Sequence, residues 1–435
     1  MRVEAAPQVQ PRASKRRPAW AFGPGLVFAL AALGPQDLVT NSAAGAAYGY
    51  ALLWAVALVV LARYVLLEAT ARYVVVTGET LMAGYARAGR WMPWMLLGAI
   101  LARRHLSGLA HLLLLAGSIG LLFPTSPEWF RLAGALACWA LGFALMFWGR
   151  YEWVERASKP LLVLLGGTLA LAAALSRPDL AEAARGAFIP SAPAGESGYG
   201  LAFLLLALVG AGTGALSNLK YAAFVHEKGW RDPSFLRVQR IDLLLSGLGL
   251  YAMLALVQIA AAANLYPSTQ PLRDVEDLAP MFARVLGDSG RIVLGLGLWA
   301  AVFTTYTGAN TGYSLLAADL WHGVLRPPRA GAPASAGQSP AYRWFLVWFC
   351  FAPLYGLFTE WKPFWIVLLE AVLLAVLLPV MVAVLLWLTN RRDLMGRYRS
   401  SHAGNAAMLA IVAATGYLVY RNLAEWLPAL SAGIR

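Results

Sequence analysis

The residues able to do chemistry in this 435-residue chain are few and lie within apolar surroundings. Asp37 closes the run Gly34-Pro35-Gln36-Asp37. Proline lacks an N–H and its ring clashes with the preceding turn, so a helix entering this run leaves carbonyls near Ala31 and Leu33 without helical partners. An ionisable group among apolar residues must face protein, water or a ligand, which makes Asp37 a functional candidate. A second run, Gly210-Ala211-Gly212-Thr213-Gly214-Ala215-Leu216-Ser217-Asn218, alternates glycines and then offers Ser and Asn. Glycine permits an unwound stretch whose carbonyls can coordinate; close helix packing through small residues is the competing explanation. Glu68, Arg72 and Glu370 are candidate members of a buried ion-pair network. Arg103 and Arg104 read either as its counter-ions or as the lining of an anion-attracting vestibule. His105 and His111 read as packing or hydrogen-bonding residues ahead of proton shuttles. No nucleophile–base pair, phosphate-binding glycine loop or His/Glu metal cluster is present, so neither an enzyme nor a cofactor is expected.

The elements that must position these residues are membrane spans. Hydrophobic residues make up 60% of the chain and charged residues 13%, whereas a soluble domain carries roughly a quarter charged residues. Spans of about 20 residues are expected near 20–40, 46–71, 92–123, 132–149, 159–175, 199–224, 241–263, 291–319, 343–358, 364–388 and 405–424. Residues 1–19 form a basic tail with Arg12, Lys15, Arg16 and Arg17. With that tail in the cytoplasm, most Lys and Arg residues outside the spans fall on the cytoplasmic side, the expected bias for a plasma membrane protein. The net charge of +13 is then explained by a basic face against anionic lipid and calls for no nucleic-acid partner. Five basic residues, Arg63, Arg72, Arg103, Arg104 and Lys220, fall inside the spans. Cys138 and Cys350 both lie in apolar runs and read as core packing.

Spans one and six hold the same place in two sets of five, and both carry backbone breakers. Interrupted helices at corresponding positions point to an inverted-repeat transporter whose substrate sits between the breaks. The expected architecture is therefore an all-α polytopic membrane protein of LeuT type with about eleven transmembrane helices. One domain covers 20–435, with a first repeat over about 20–175, a second over about 199–388 and an extra helix near 405–424. Residues 34–37 and 212–217 are expected to be non-helical and within one side-chain length of each other.

Several segments, in this order, resemble the Nramp family of divalent-metal transporters: Gly23-Pro24-Gly25, then Gly34-Pro35-Gln36-Asp37 and Thr40-Asn41, followed by Val76-Thr77-Gly78-Glu79, Tyr151 to Arg156, Arg240-Ile241-Asp242 and Thr389 to Gly396. The resemblance implies a secondary transporter of a bacterial inner membrane. It also exposes departures. The family's DPGN motif binds metal through its Asp and Asn, and these positions hold Gly34 and Asp37. In the sixth helix the family's coordinating carbonyl and Met fall on Gly212 and Ala215, aligned on Asn218, so the thioether is lost. An oxygen-only site suits hard cations such as Mg²⁺ or Mn²⁺. Glu370 lies next to the position of a family Gln that closes over the metal. The family's acidic proton relay on helix three is replaced by a segment holding Gly108 and His111. The resemblance thus implies substrate contacts at Gly34, Asp37, Gly212, Ala215, Asn218 and Glu370, with Asp37 as the charged metal ligand. The expected activity is transport of a divalent cation without family-type proton coupling; the alternative is a small organic or anionic solute.

Overall fold

The computed structural model describes residues 34–148, 160, 163, 166–167, 169–193, 199–214, 216–227, 232–268, 270–287, 289–325 and 339–433. Among these there is no strand, and nine stretches are long and apolar enough to cross a membrane. One of the nine, Pro35–Thr77, contains two helices, α1 (Pro35–Tyr48) and α2 (Leu53–Thr77), bent around a 3₁₀ turn that begins at Gly49 with φ near +59°. The others are built on α3 (Trp91–Leu122), α4 (Glu128–Phe147), α5 (Leu201–Thr213) with α6 (Ser217–Glu227), α7 (Leu236–Leu265), α8 (Ser289–Asp319), α9 (Pro340–Phe351), α10 (Pro363–Asn390) and α11 (His402–Gly433). Residues 169–175, within the expected fifth span, end in a helix. The tail 1–19, the beginning of the first span and Ala215 lie outside the described residues.

The bundle is organised by close pairings. α1 packs along α7, α5 along α10, and α3 between α8 and α10. Two of these pairings depend on missing side chains. A Cβ on Gly45 of α1 would lie 2.5 Å from the Gln258 carbonyl oxygen of α7, and one on Gly210 of α5 would lie 1.7 Å from the Ala371 carbonyl oxygen of α10. Gly210 thus serves close packing, while the break itself falls further on.

Within the described residues both segments are more helical than the sequence led us to expect. Residues 35–37 are helical, not unwound: Pro35 occupies the first helical position of α1, where its fixed φ is suitable and its missing N–H is no loss. Asp37 sits at the third position, and its Oδ2 accepts a hydrogen bond from the N–H of Gly34 (3.3 Å), the capping residue. At the second break Gly212 and Thr213 still belong to α5, and Ser217 already opens α6. Gly214 makes the turn, in left-handed geometry with φ near +60°. Helical geometry persists as far as Thr213 because glycine tolerates it and one positive-φ residue is enough to end a helix. The first span is also shifted, since α1 runs on to Tyr48 before Gly49 turns the chain.

Candidate functional site

Ending α5 at Thr213 leaves the last carbonyls of that helix without intrahelical donors. One of them, Gly212 O, accepts a hydrogen bond from Nη1 of Arg63 on α2 at 3.2 Å. Arg63 is 8% exposed, and of the charged groups around Asp37 it acts on the carboxylate most strongly. The guanidinium therefore caps the negative end of α5, with the Asp37 carboxylate within reach of its charge. Gly214 packs beside it, since a Cβ there would stand 3.5 Å from Nη1. Spare acceptors flank the breaks. Asn41 donates its Nδ2 to the Asp37 carbonyl (2.8 Å), while its Oδ1 and the Oδ1 of Asn218 are buried without a hydrogen-bond partner among the described residues.

A second cluster adjoins the first. Arg103 Nε donates to Glu370 Oε1 at 3.0 Å, joining α3 to α10, and its Nη1 donates to the Tyr313 hydroxyl of α8 and to Ser217 Oγ (3.4 Å). Tyr313 is ringed by cations, with Arg103 Cζ at 4.9 Å, Arg104 Cζ at 5.8 Å and Lys220 Nζ at 4.7 Å from its ring centroid. Arg104, 1% exposed, is held by neutral oxygens: Nη2 donates to Asn310 Oδ1 at 2.7 Å and Nη1 to Ser107 Oγ at 3.1 Å. His111 follows on the same helix, its Nδ1 3.4 Å from Ser107 Oγ and its ring edge-on to Tyr306. The centre thus gathers the basic residues Arg63, Arg103, Arg104 and Lys220 near the carboxylates Asp37 and Glu370.

The structure sorts the expected site residues into three groups. Gly34, Asp37, Gly212, Asn218, Glu370, Arg103, Arg104 and His111 lie at or beside the centre. Glu370 faces Arg103. Glu68 and Arg72 do not join that network. They form a separate one in which Glu68 meets Arg72 at 3.4 Å and Arg240 of α7 at 2.9 Å, while Arg72 also donates to Ser400 Oγ at 3.0 Å. The separation has a simple cause: Arg72 lies nine residues beyond Arg63 on α2, about 13 Å along the axis. His105 is directed away from the centre, stacked on Tyr355 with Nε2 2.9 Å from its hydroxyl. No group of three or more His, Cys, Asp or Glu that could hold a metal occurs among the described residues. Arg63, Lys220, Tyr313 and Asn310 belong to the centre and were not singled out from sequence. The signal for the first two was available, because both are basic residues inside expected spans.

Comparison with known proteins agrees with this architecture. The family model described as natural resistance-associated macrophage protein-like matches residues 25–425. A divalent metal cation transporter MntH of Aeromonas hydrophila is 25% identical over 434 residues, covering 93% of this chain and 97% of its own. The MntH of Chromohalobacter salexigens is 28% identical, covering 70% of this chain and 74% of its own. A mutant form of the Eremococcus coleocola manganese transporter superposes with a TM-score of 0.70 at 17% identity, over 94% of this chain and 87% of that one. The nucleobase-cation-symport-1 transporter Mhp1 superposes at 0.57 and 13% identity, over 88% and 80% of the two chains. The broken-helix, LeuT-type bundle and the family match over nearly the whole length lead to one conclusion: this chain belongs to the Nramp family of membrane transporters.

Proposed function

We propose that the protein is a secondary transporter that moves a divalent cation of the Mg²⁺ or Mn²⁺ type across a bacterial inner membrane, following the gradient of its substrate. The observation that carries this reading is the Arg63 guanidinium on the Gly212 carbonyl at the end of α5, with its charge acting on the Asp37 carboxylate. A place that accommodates a guanidinium on a helix-end carbonyl near a carboxylate is electrostatically suited to a cation, and carboxylate, carbonyl and amide oxygens suit hard ions. The names of the relatives support the same substrate class. The first repeat is read as residues 20–175 and the second as 199–388, with the N-terminal tail in the cytoplasm.

Coupling to protons is not part of the proposal. A Cβ on Gly108 would lie 2.4 Å from Pro353 Cγ, so the position that carries a carboxylate in the family is sterically filled here. His111, the other residue of that segment, meets Ser107 and Tyr306. Arginine cannot act as a proton carrier in its place.

Uptake into proteoliposomes tests the reading. Mn²⁺ or Mg²⁺ should enter down its gradient, with the membrane potential assisting, and Asp37→Ala should abolish entry. Equal uptake by the variant would refute Asp37 as ligand. A second reading rests on the four buried cations beside two carboxylates: an anionic or small organic solute. Uptake of such a solute with no divalent-cation flux would establish that reading over the first.

A further inference from the structure

We infer that Arg63 is a tethered cation, whose guanidinium fills the substrate's place at the helix break and withdraws from Gly212 when a cation enters. The inference deepens the transport reading above, on which it depends for the identity of the incoming ion. Three observations carry it. Arg63 Nη1 binds the carbonyl of Gly212 at 3.2 Å, an oxygen that the end of α5 leaves free for a ligand. The same side chain is the charged group that acts most strongly on Asp37 at the start of α1, so its charge serves both that carboxylate and the end of α5. The left-handed Gly214 that ends α5 stands beside the guanidinium, a Cβ there reaching ordinary contact distance, 3.5 Å from Nη1 and 3.6 Å from Cζ.

A capping arginine at a helix C-terminus is an ordinary device. Capping alone, however, needs no carboxylate at the start of another helix, and it makes no demand on what else binds. A tethered cation does make one. Arg63 and a divalent ion cannot both occupy the Gly212 carbonyl beside Asp37, because like charges a few ångströms apart in a buried site repel strongly. Arg103, Arg104 and Lys220 add to that repulsion. Wild-type affinity for a free cation is therefore held down by competition from the protein's own side chain. Specificity follows as well, since an incoming ion must replace a guanidinium and monovalent ions offer less attraction to Asp37 than divalent ones.

The test uses full-length protein in lipid nanodiscs, titrated with MnCl₂ and separately with methylguanidinium chloride. Arg63→Gln keeps a donor for the Gly212 carbonyl and removes the charge; Arg63→Met removes both and serves if the first variant does not fold. Either variant should bind Mn²⁺ about tenfold or more tighter than wild type. Each should also bind methylguanidinium, which wild type should not, and both gains should vanish when Asp37→Ala is added. Arg63→Lys should stay near wild type. Two outcomes separate this inference from the transport reading. Methylguanidinium binding to Arg63→Gln with no Mn²⁺ binding to any protein would uphold the tethered cation and overturn the divalent substrate. Equal Mn²⁺ binding by wild type and Arg63→Gln, with no methylguanidinium binding, would overturn the tethered cation and leave the divalent substrate standing. Binding of neither ion to Arg63→Gln or Arg63→Met would overturn it too.

Discussion

Replacing Glu370 by Leu is expected to destabilise the protein by about 3–5 kcal/mol, and the reasoning behind that figure can be checked with a double-mutant cycle. Glu370 is 3% exposed and Arg103 is 9% exposed, and their contact at 3.0 Å joins α3 to α10. Two unit charges at about 4 Å attract by ~4 kcal/mol when the effective dielectric is near 20. The loss is large because the stranded Arg103 keeps as hydrogen-bond partners only the neutral oxygens of Tyr313 and Ser217, with Arg104 and Lys220 close by and Asp37 the carboxylate left near it. Arg103→Met strands a carboxylate instead, at a smaller cost, since Arg104 remains near Glu370. Changing both residues together removes the pair without leaving a buried charge, and such replacements are often close to neutral. Equilibrium unfolding in mixed micelles of wild type, the two single variants and the double variant gives the coupling energy. We expect it to reach about 2 kcal/mol or more in favour of the pair, within the range of contacting residues. Additivity to within about 0.5 kcal/mol would refute the pair as an energetic link between α3 and α10.

Other expectations follow from the same geometry. Gly210→Ala should force α5 from α10, because the new methyl would overlap the Ala371 carbonyl; unfolding should show a loss of roughly 1–3 kcal/mol or more, and a wild-type curve would contradict the packing. Glu68→Gln weakens the contacts to Arg72 and Arg240, but Arg240 is half exposed, so a salt-sensitive loss of about 1 kcal/mol is expected in the same assay and a much larger loss would show that the network is a structural lock. Transport should not acidify the vesicle lumen, and His111→Ala should leave an enclosed pH dye unchanged; substrate-dependent acidification that His111→Ala abolishes would overturn uncoupled transport. Gly108→Asp should not create coupling, because its side chain collides with Pro353; the same dye reports proton entry, and unfolding should register a cost of about 1–3 kcal/mol.

Much of this protein was legible in its residues. A chain with 60% hydrophobic and 13% charged residues has to place its polar backbone inside helices, so the spans followed from apolar runs, and most boundaries fell within a few residues of the helices. Glycine located the break between α5 and α6, and proline the start of α1, since those residues act on the backbone locally. What sequence could not supply was the state of each break: Pro35 begins a helix, and one positive-φ glycine, Gly214, is enough to end another. Nor could it pair the charges. Arg63, Arg72, Arg103, Arg104, Lys220, Glu68 and Glu370 were all visible as costly ionisable residues, but their partners are up to several hundred positions away, as with Arg103 and Glu370. Only the packing of α2, α3, α5 and α10 decided that Arg63 meets Gly212, that Glu370 meets Arg103, and that Glu68 and Arg72 stand apart. Local chain chemistry sets where a helix starts and stops, whereas the choice of partner for a buried charge depends on which helices come together, and that is a property of the whole bundle.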